Sequence, residues 1–230
     1  MNSNSLRAVV ASEVTKLRTV WSTRIALLLT VFISAGLGFL IALSLSANFS
    51  EMSQEDQNRF DPFFYSFYSL TLGQLALVVF GVIAVSGEYS SGTIRAALLA
   101  TPQRGRLYLG KVVAATLLIL GVSLAAVLGA FYAAQAGLGE LGTSLDADGM
   151  PRAAVGAFLY LTLICLFAMG VAAMLRSAVA SLAVLMPLFF LGSQGLGNVP
   201  KLKTVTQYLP DQTGMVIMGL TGPEGDPAFG

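Results

Sequence analysis

The sequence predicts an all-α integral membrane protein, a helical bundle, and three observations carry that expectation. Of 230 residues, 55% are hydrophobic and 11% charged, with a mean hydropathy of +0.76, a balance far from that of soluble domains. Runs free of Asp, Glu, Lys and Arg occupy residues 25–46, 70–86, 112–135, 153–175 and 178–199. A helix of about 20 apolar residues crosses a bilayer, and each run meets or approaches that length, so five spans follow. The third observation is charge placement. With the N-terminus inside, the inner segments hold Arg7, Lys16, Arg18, Arg24, Arg95, Arg104, Arg106, Lys111 and Arg176, leaving only Arg59, Arg152, Lys201 and Lys203 outside. Basic residues favour the cytoplasmic side. The chain is therefore expected to be one transmembrane domain over 1–230, in the cell membrane, with a cytoplasmic N-terminus.

Ahead of the first span, Leu6, Val9, Val10, Val14, Leu17 and Trp21 recur at helical spacing, with Arg7, Lys16 and Arg18 off that stripe. This pattern predicts an interfacial helix at about 5–22, its cations among anionic headgroups and Trp21 near the interface, before the chain turns inward at Arg24. Two readings fit it: a plain anchor, or a helix that also touches a cytoplasmic partner through Glu13 and Lys16. The first apolar run, 25–46, is a permanent span rather than a signal peptide, because four more runs follow it.

Residues 47–62 carry Glu51, Glu55, Asp56 and Asp61 and lead into Phe63, Phe64, Tyr65, Phe67 and Tyr68. These aromatics read as an outer interface belt or as an aromatic substrate clasp. The second run is short, so its span draws on the preceding residues and is placed at about 66–86.

The polar passage 87–111, GEYSSGTIRAALLATPQRGRLYLGK, is the expected site of work. Ser90, Ser91 or Gly92 can cap a short helix in which Ile94, Ala97 and Leu98 form a narrow apolar stripe, and Thr101 and Pro102 stop it. Glu88 stands at its start and Arg95, Arg104, Arg106 and Lys111 lie in it or follow it. The layout is that of a docking surface at the membrane face, or of an ordinary solvated loop that obeys the charge rule.

In the third span, 112–135, Gly121, Ala125, Gly129 and Ala133 recur every four residues and would admit a close helix neighbour, from this chain or a second copy. Cys165, in the fourth span at 153–175, is the single cysteine and serves packing. Pro187 and the glycines 192, 195 and 197 predict a bend in the fifth span, 178–199, as a hinge or as tolerated irregularity. Residues 201–222 contain only a short apolar run, too short to span, and are expected to stay outside, followed by a polar Gly/Pro tail.

Several chemistries are excluded. Residues 105–111 match the glycine and lysine spacing of a phosphate-binding loop, but Val112 stands where Ser or Thr would hold magnesium, and a transmembrane run follows. The chain has no histidine, which removes His-based triads and the usual zinc sites. No resident cofactor and no nucleic-acid partner is expected. No ionisable pair lies within a span, where coupling ions would bind. If the protein drives uphill transport, the energy must enter through a partner, and the passage around Glu88 is its port.

Glu13, Lys16, Leu17 and Arg18 ahead of Trp21, then Glu88, Gly92, Thr93, Ile94, Leu98, Leu99, Pro102, Arg104 and Lys111, taken in that order and spacing, make the chain resemble type-2 permease subunits of bacterial ATP-binding-cassette (ABC) transporters. The resemblance covers nearly the whole chain. It implies an elbow helix at the interface and a coupling helix between spans two and three that fits a groove of a separate ATPase. Glu88, Tyr89, Gly92, Thr93, Ile94, Arg95, Leu98, Pro102 and Arg104 would form that contact. It further implies two ATPase copies, which would hold the ATP and magnesium, a second permease copy or a related permease, and export of a substrate drawn from drugs, peptides, lipids and polysaccharides. Such permeases usually have six spans and a short outer re-entrant segment, which the resemblance places at about 201–222, so a final helix is expected beyond the five counted here. The rival reading is a non-transporting assembly or sensor subunit that holds a soluble partner through the same loop.

Overall fold

A computed structural model describes residues 3–58, 60–93, 99, 104–194 and 210–218. Among the described residues every regular element is helical, as the apolar runs require, because a bilayer offers no water to unpaired backbone groups. In chain order the α-helices are α1 (Ser3–Thr19), α2 (Trp21–Asn48), α3 (Gln54–Asn58), α4 (Pro62–Phe67), α5 (Leu70–Ser90), α6 (Arg104–Leu138), α7 (Met150–Leu175), α8 (Ala178–Gln194) and α9 (Pro210–Ile217), with single 3-10 turns at Phe49–Glu51 and Gly139–Leu141. Four segments are long and apolar enough to span: Trp21–Glu51, Pro62–Ser90, Tyr108–Leu141 and Met150–Leu175. The fifth expected span appears as the shorter α8, whose continuation at 195–199 lies outside the described residues.

Several boundaries differ from the pattern reading, each for a local reason. Val20 is extended at φ −71° and ψ 122°, so α1 turns into α2 there rather than at Arg24, and Trp21 becomes the first residue of α2. Asp61 accepts a hydrogen bond from the Phe63 amide at 2.9 Å, and Pro62 follows it, so α4 starts as a separate capped turn. Helix α5 continues past Ser86 to Ser90, and α6 starts at Arg104 rather than near 112. At 35 residues, α6 is about 52 Å long at 1.5 Å per residue, more than the roughly 30 Å apolar thickness of a bilayer. One end of it therefore projects beyond the membrane.

Helix α5 is the most buried of the long helices and packs against α2, α7 and α8. Helix α2 faces inward with Thr23, Ala26, Thr30, Ser34, Gly38, Ala42 and Leu45, a seam of small residues on which α6 lies closely. Two of its hydroxyls bond within the helix, Thr30 Oγ1 donating to the Ala26 carbonyl at 2.9 Å and Ser34 Oγ to that of Thr30 at 2.7 Å, while Ser46 Oγ reaches across to the Gly137 carbonyl of α6 at 2.9 Å. The aromatic residues on either side of Asp61 pack on one another: Phe60 stacks on Tyr65 and Phe64 on Tyr68, while Phe64 and Phe67 are buried.

At the end of the bundle away from α1, α9 rests on α7. Asp211 is 1% exposed there; its Oδ2 accepts from Gln212 Nε2 at 3.1 Å, and its Oδ1 has no hydrogen-bond partner among the described residues. Burial raises the Asp211 carboxyl above the usual carboxylate range. A raised acid favours the folded state when protonated, so this contribution is present at low pH and lost as pH rises through the raised value. Asp211→Asn should therefore raise the melting temperature at neutral pH and flatten its acid dependence, by roughly 2–4 °C for each kcal/mol. Melting in detergent from pH 4 to 7 checks this; identical pH profiles for both proteins would exclude the assignment.

Candidate functional site

The end of the bundle that carries α1 also carries both ends of the 87–111 passage, and a closed ring of charge joins them. Helical spacing places Glu13 and Lys16 on one side of α1. Glu88 lies in the last turn of α5 and Lys111 in the second turn of α6. Lys111 Nζ donates to Glu13 Oε2 at 2.9 Å and lies 2.7 Å from Glu88 Oε1. Lys16 Nζ donates to the same Glu88 oxygen and lies 3.8 Å from Glu13 Oε1. Each member thus has two neighbours of opposite sign, and the four charges sum to zero.

The ring is deeply set. Glu13, Glu88 and Lys111 are 6%, 4% and 4% exposed, whereas the Lys16 side chain is 39% exposed. Charges so removed from water persist only when paired and hydrogen-bonded. Lys111 finds a further, longer contact at the Ala84 carbonyl, 3.5 Å away. The apolar stripe of α1 turns to the same place: Leu17 is 3% exposed, and Val10 and Val14 pack on the main core. Gly110 of α6 leaves no room for a Cβ against Val9, so α1 lies directly on the α6 backbone.

Helix α5 ends by a glycine device. Ser91 is its C-cap residue, and Gly92 takes φ +70°, the left-handed conformation that stops helices at little cost to glycine. Ser91 Oγ and Thr93 Oγ1 lie 2.9 Å apart. Beside this turn the Arg176 guanidinium carbon stands 5.8 Å from the centre of the Tyr89 ring, a cation–π contact that ties the α7–α8 junction to the flank of the passage. Arg176 itself has φ +53°, uncommon for a residue with a side chain.

Of the residues expected to form the coupling contact, Glu88 enters the ring, Tyr89 lies under Arg176, Gly92 ends α5 and Thr93 is exposed. Ile94, Arg95, Leu98 and Pro102 lie outside the described residues, and Arg104 is described only as the first residue of α6. Leu99, within the passage, is 86% exposed. Of the interfacial set, Glu13, Lys16 and Leu17 face the bundle. Arg18 is exposed, its carbonyl accepting from Arg24 Nε, and Trp21 is 72% exposed. Gly129 and Ala133 are partly buried, whereas Gly121 and Ala125 are exposed. Residues 105–111 are helical throughout, so no phosphate-cradling loop exists there.

Sequence reasoning missed two members of this site. In sequence Lys111 counts among the cations of the passage and among the residues that carry the family resemblance, with no partner assigned to it, and Arg176 only as an inner-side cation. The available signal was that Glu88 and Lys111 each adjoin an apolar run, where a charge needs a partner.

Residues 7–212 match the sequence model of the family described as ABC-2 family transporter protein. No curated protein matches the chain, and no solved structure does.

Proposed function

The chain belongs to the ABC-2 family of transporter proteins, a multi-pass membrane permease component of an ABC transporter, and we propose that within that family it serves an exporter. In this reading it lines the substrate path and is driven by a separate ATPase, which holds the ATP and magnesium. Two permease chains, of this kind or one of this and one related, stand on two ATPase copies.

The observation that supports ATPase coupling is the Lys111–Glu88 contact of 2.7 Å. It brings together two residues at the ends of the polar passage, 23 positions apart in sequence. A loop held at both ends can transmit a push from a soluble partner into α5 and α6; a solvated loop needs no such clamp. The apolar pair Ile94 and Leu98 supplies the docking stripe, each worth roughly 1.5–3 kcal/mol if fully buried in a partner groove.

The test is Ile94→Asp with Leu98→Asp in one chain, after confirming membrane insertion. ATPase co-purification and transport-dependent ATP hydrolysis are both expected to fall by at least about tenfold, since loss of even one full burial exceeds 1.4 kcal/mol. Unchanged values for both would leave the passage as a solvated loop. Orientation is tested separately by cysteine labelling in intact cells: Gln103→Cys should resist an impermeant reagent and Asp146→Cys should react, and the reverse pattern would overturn the cytoplasmic assignment of the N-terminus.

A further inference from the structure

We propose that the Glu13–Lys111–Glu88–Lys16 ring makes α1 a positioning element of the ATPase-docking passage, so that α1 and both ends of the passage move as one body. The inference rests on the docking reading above and assigns α1 a role beyond anchorage. Two ring members come from α1, one from the end of α5 and one from the start of α6. No covalent or backbone connection makes these three elements neighbours: Glu13 and Lys111 are 98 residues apart in sequence, and Lys16 and Glu88 are 72 apart.

Anchorage alone does not account for this arrangement. The buried Leu17 and the packed Val10 and Val14 would hold α1 on the bundle without any charge. A buried ion pair is a poor substitute for apolar contacts of the same volume as a source of stability. What it supplies is register, because a charge displaced from its partner in a dry site is penalised steeply whereas an apolar side chain slides at small cost. A closed ring sharpens this. Shifting α1 along α6 by one turn would strand Glu13 and Lys16 on one side and Glu88 with Lys111 on the other, breaking the 2.9 Å contact and the Lys16–Glu88 bond together. The ring therefore has one low-energy registration, and a force on the passage is passed to α1 instead of being absorbed between them. Lys16, at 39% side-chain exposure, is the member that water can reach, so it is the corner at which the ring opens.

The experiment measures the linkage without relying on the ATPase. Spin labels at Thr15→Cys and Ser91→Cys, both exposed positions, report the distance between α1 and the end of α5 in the full chain in liposomes; Cys165 is buried and escapes labelling. A narrow distance distribution is expected for the native ring and for Lys111→Arg, which keeps the charge. A broad one is expected for Glu13→Gln and Lys111→Met. Inversion of all four members, E13K/K16E/E88K/K111E, preserves every pairing and should narrow it again. In the complete transporter, substrate moved per ATP hydrolysed should drop at least about fivefold in Glu13→Gln, the lower bound of typical coupling energies, and recover in the inverted chain. Equally narrow distributions for the native chain, Glu13→Gln and Lys111→Met would overturn the proposal. So would unchanged coupling in Glu13→Gln. If the inverted chain does not insert, the contrast between Lys111→Arg and Lys111→Met decides. Should the native chain bind no ATPase, the docking reading fails and the spin-label result still stands on its own; should it couple normally in every variant, only the positioning role of α1 fails.

Discussion

Lys111→Met is expected to destabilise the folded chain by about 3–5 kcal/mol, the usual consequence of removing one partner from a buried ion pair. Methionine keeps the unbranched stem and most of the volume, so packing changes little. What is lost is the ammonium between Glu13 and Glu88, which are 6% and 4% exposed and would be left to share Lys16. That lysine approaches Glu13 only at 3.8 Å. Two carboxylates and one partly hydrated cation then remain in a site with little water. Lys16→Met removes the same charge from the exposed corner, where solvent already screens it, and should cost about 1 kcal/mol or less. The comparison is made by thermal loss of helicity in detergent. Adding Glu13→Gln and Glu88→Gln to Lys111→Met should recover much of the loss, since no buried charge is then left and the remaining cation, Lys16, has a side chain 39% exposed to solvent. Equal melting of Lys111→Met and Lys16→Met would mean that burial does not govern the ring.

The fold class was legible because it follows from the most robust signal in a membrane protein, the length of charge-free runs. Four of the five runs lie in helices long enough to span, and the described part of the fifth, 178–194, lies in the shorter α8. What was not legible was contact between distant residues. The stripe Val10, Val14, Leu17 fits a lipid surface and a protein surface equally well, since periodicity reports which side of a helix is apolar and not what covers it. Its cover is protein: Leu17 is 3% exposed. Polarity misled at residues 87–90 and 104–111, which are helical. Polar residues in a passage indicate water, and water is as compatible with a projecting helix as with a loop. Single polar residues inside apolar runs were also passed over. Gln74 is buried at 1% exposure, accepts a hydrogen bond from the Tyr160 hydroxyl, and donates to the Thr71 carbonyl at 2.9 Å. In sequence neither Gln74 nor Tyr160 stands out from its span.

Gly137→Ala, in α6, is expected to destabilise the bundle by about 1–3 kcal/mol through forced overpacking. A Cβ there would lie 2.7 Å from Ala42 Cβ and from the Phe39 carbonyl oxygen, and 2.9 Å from the Leu43 nitrogen. Two of these are backbone atoms of α2, which cannot rotate away, so α2 itself must retreat and open the seam at Ala42 and Leu45. Gly121→Ala in the same helix meets nothing within 4 Å and should be neutral or stabilising by up to about 1 kcal/mol, as alanine is the better helix former. The contrast follows from helix geometry. Small residues every four positions advance 400° per step at 100° per residue, so the line from Gly121 through Ala125, Gly129 and Ala133 drifts by about 40° each time. Four steps on, at Gly137, it has turned through about 160°. One end of the strip therefore faces away from the helix that the other end touches: Gly121 is exposed, Gly129 is in van der Waals range of Ala35 at 3.6 Å, and Gly137 is pressed against α2. Melting curves of the two alanine variants decide it: similar stability for both would mean that α2 and α6 do not meet at Gly137 as closely as described.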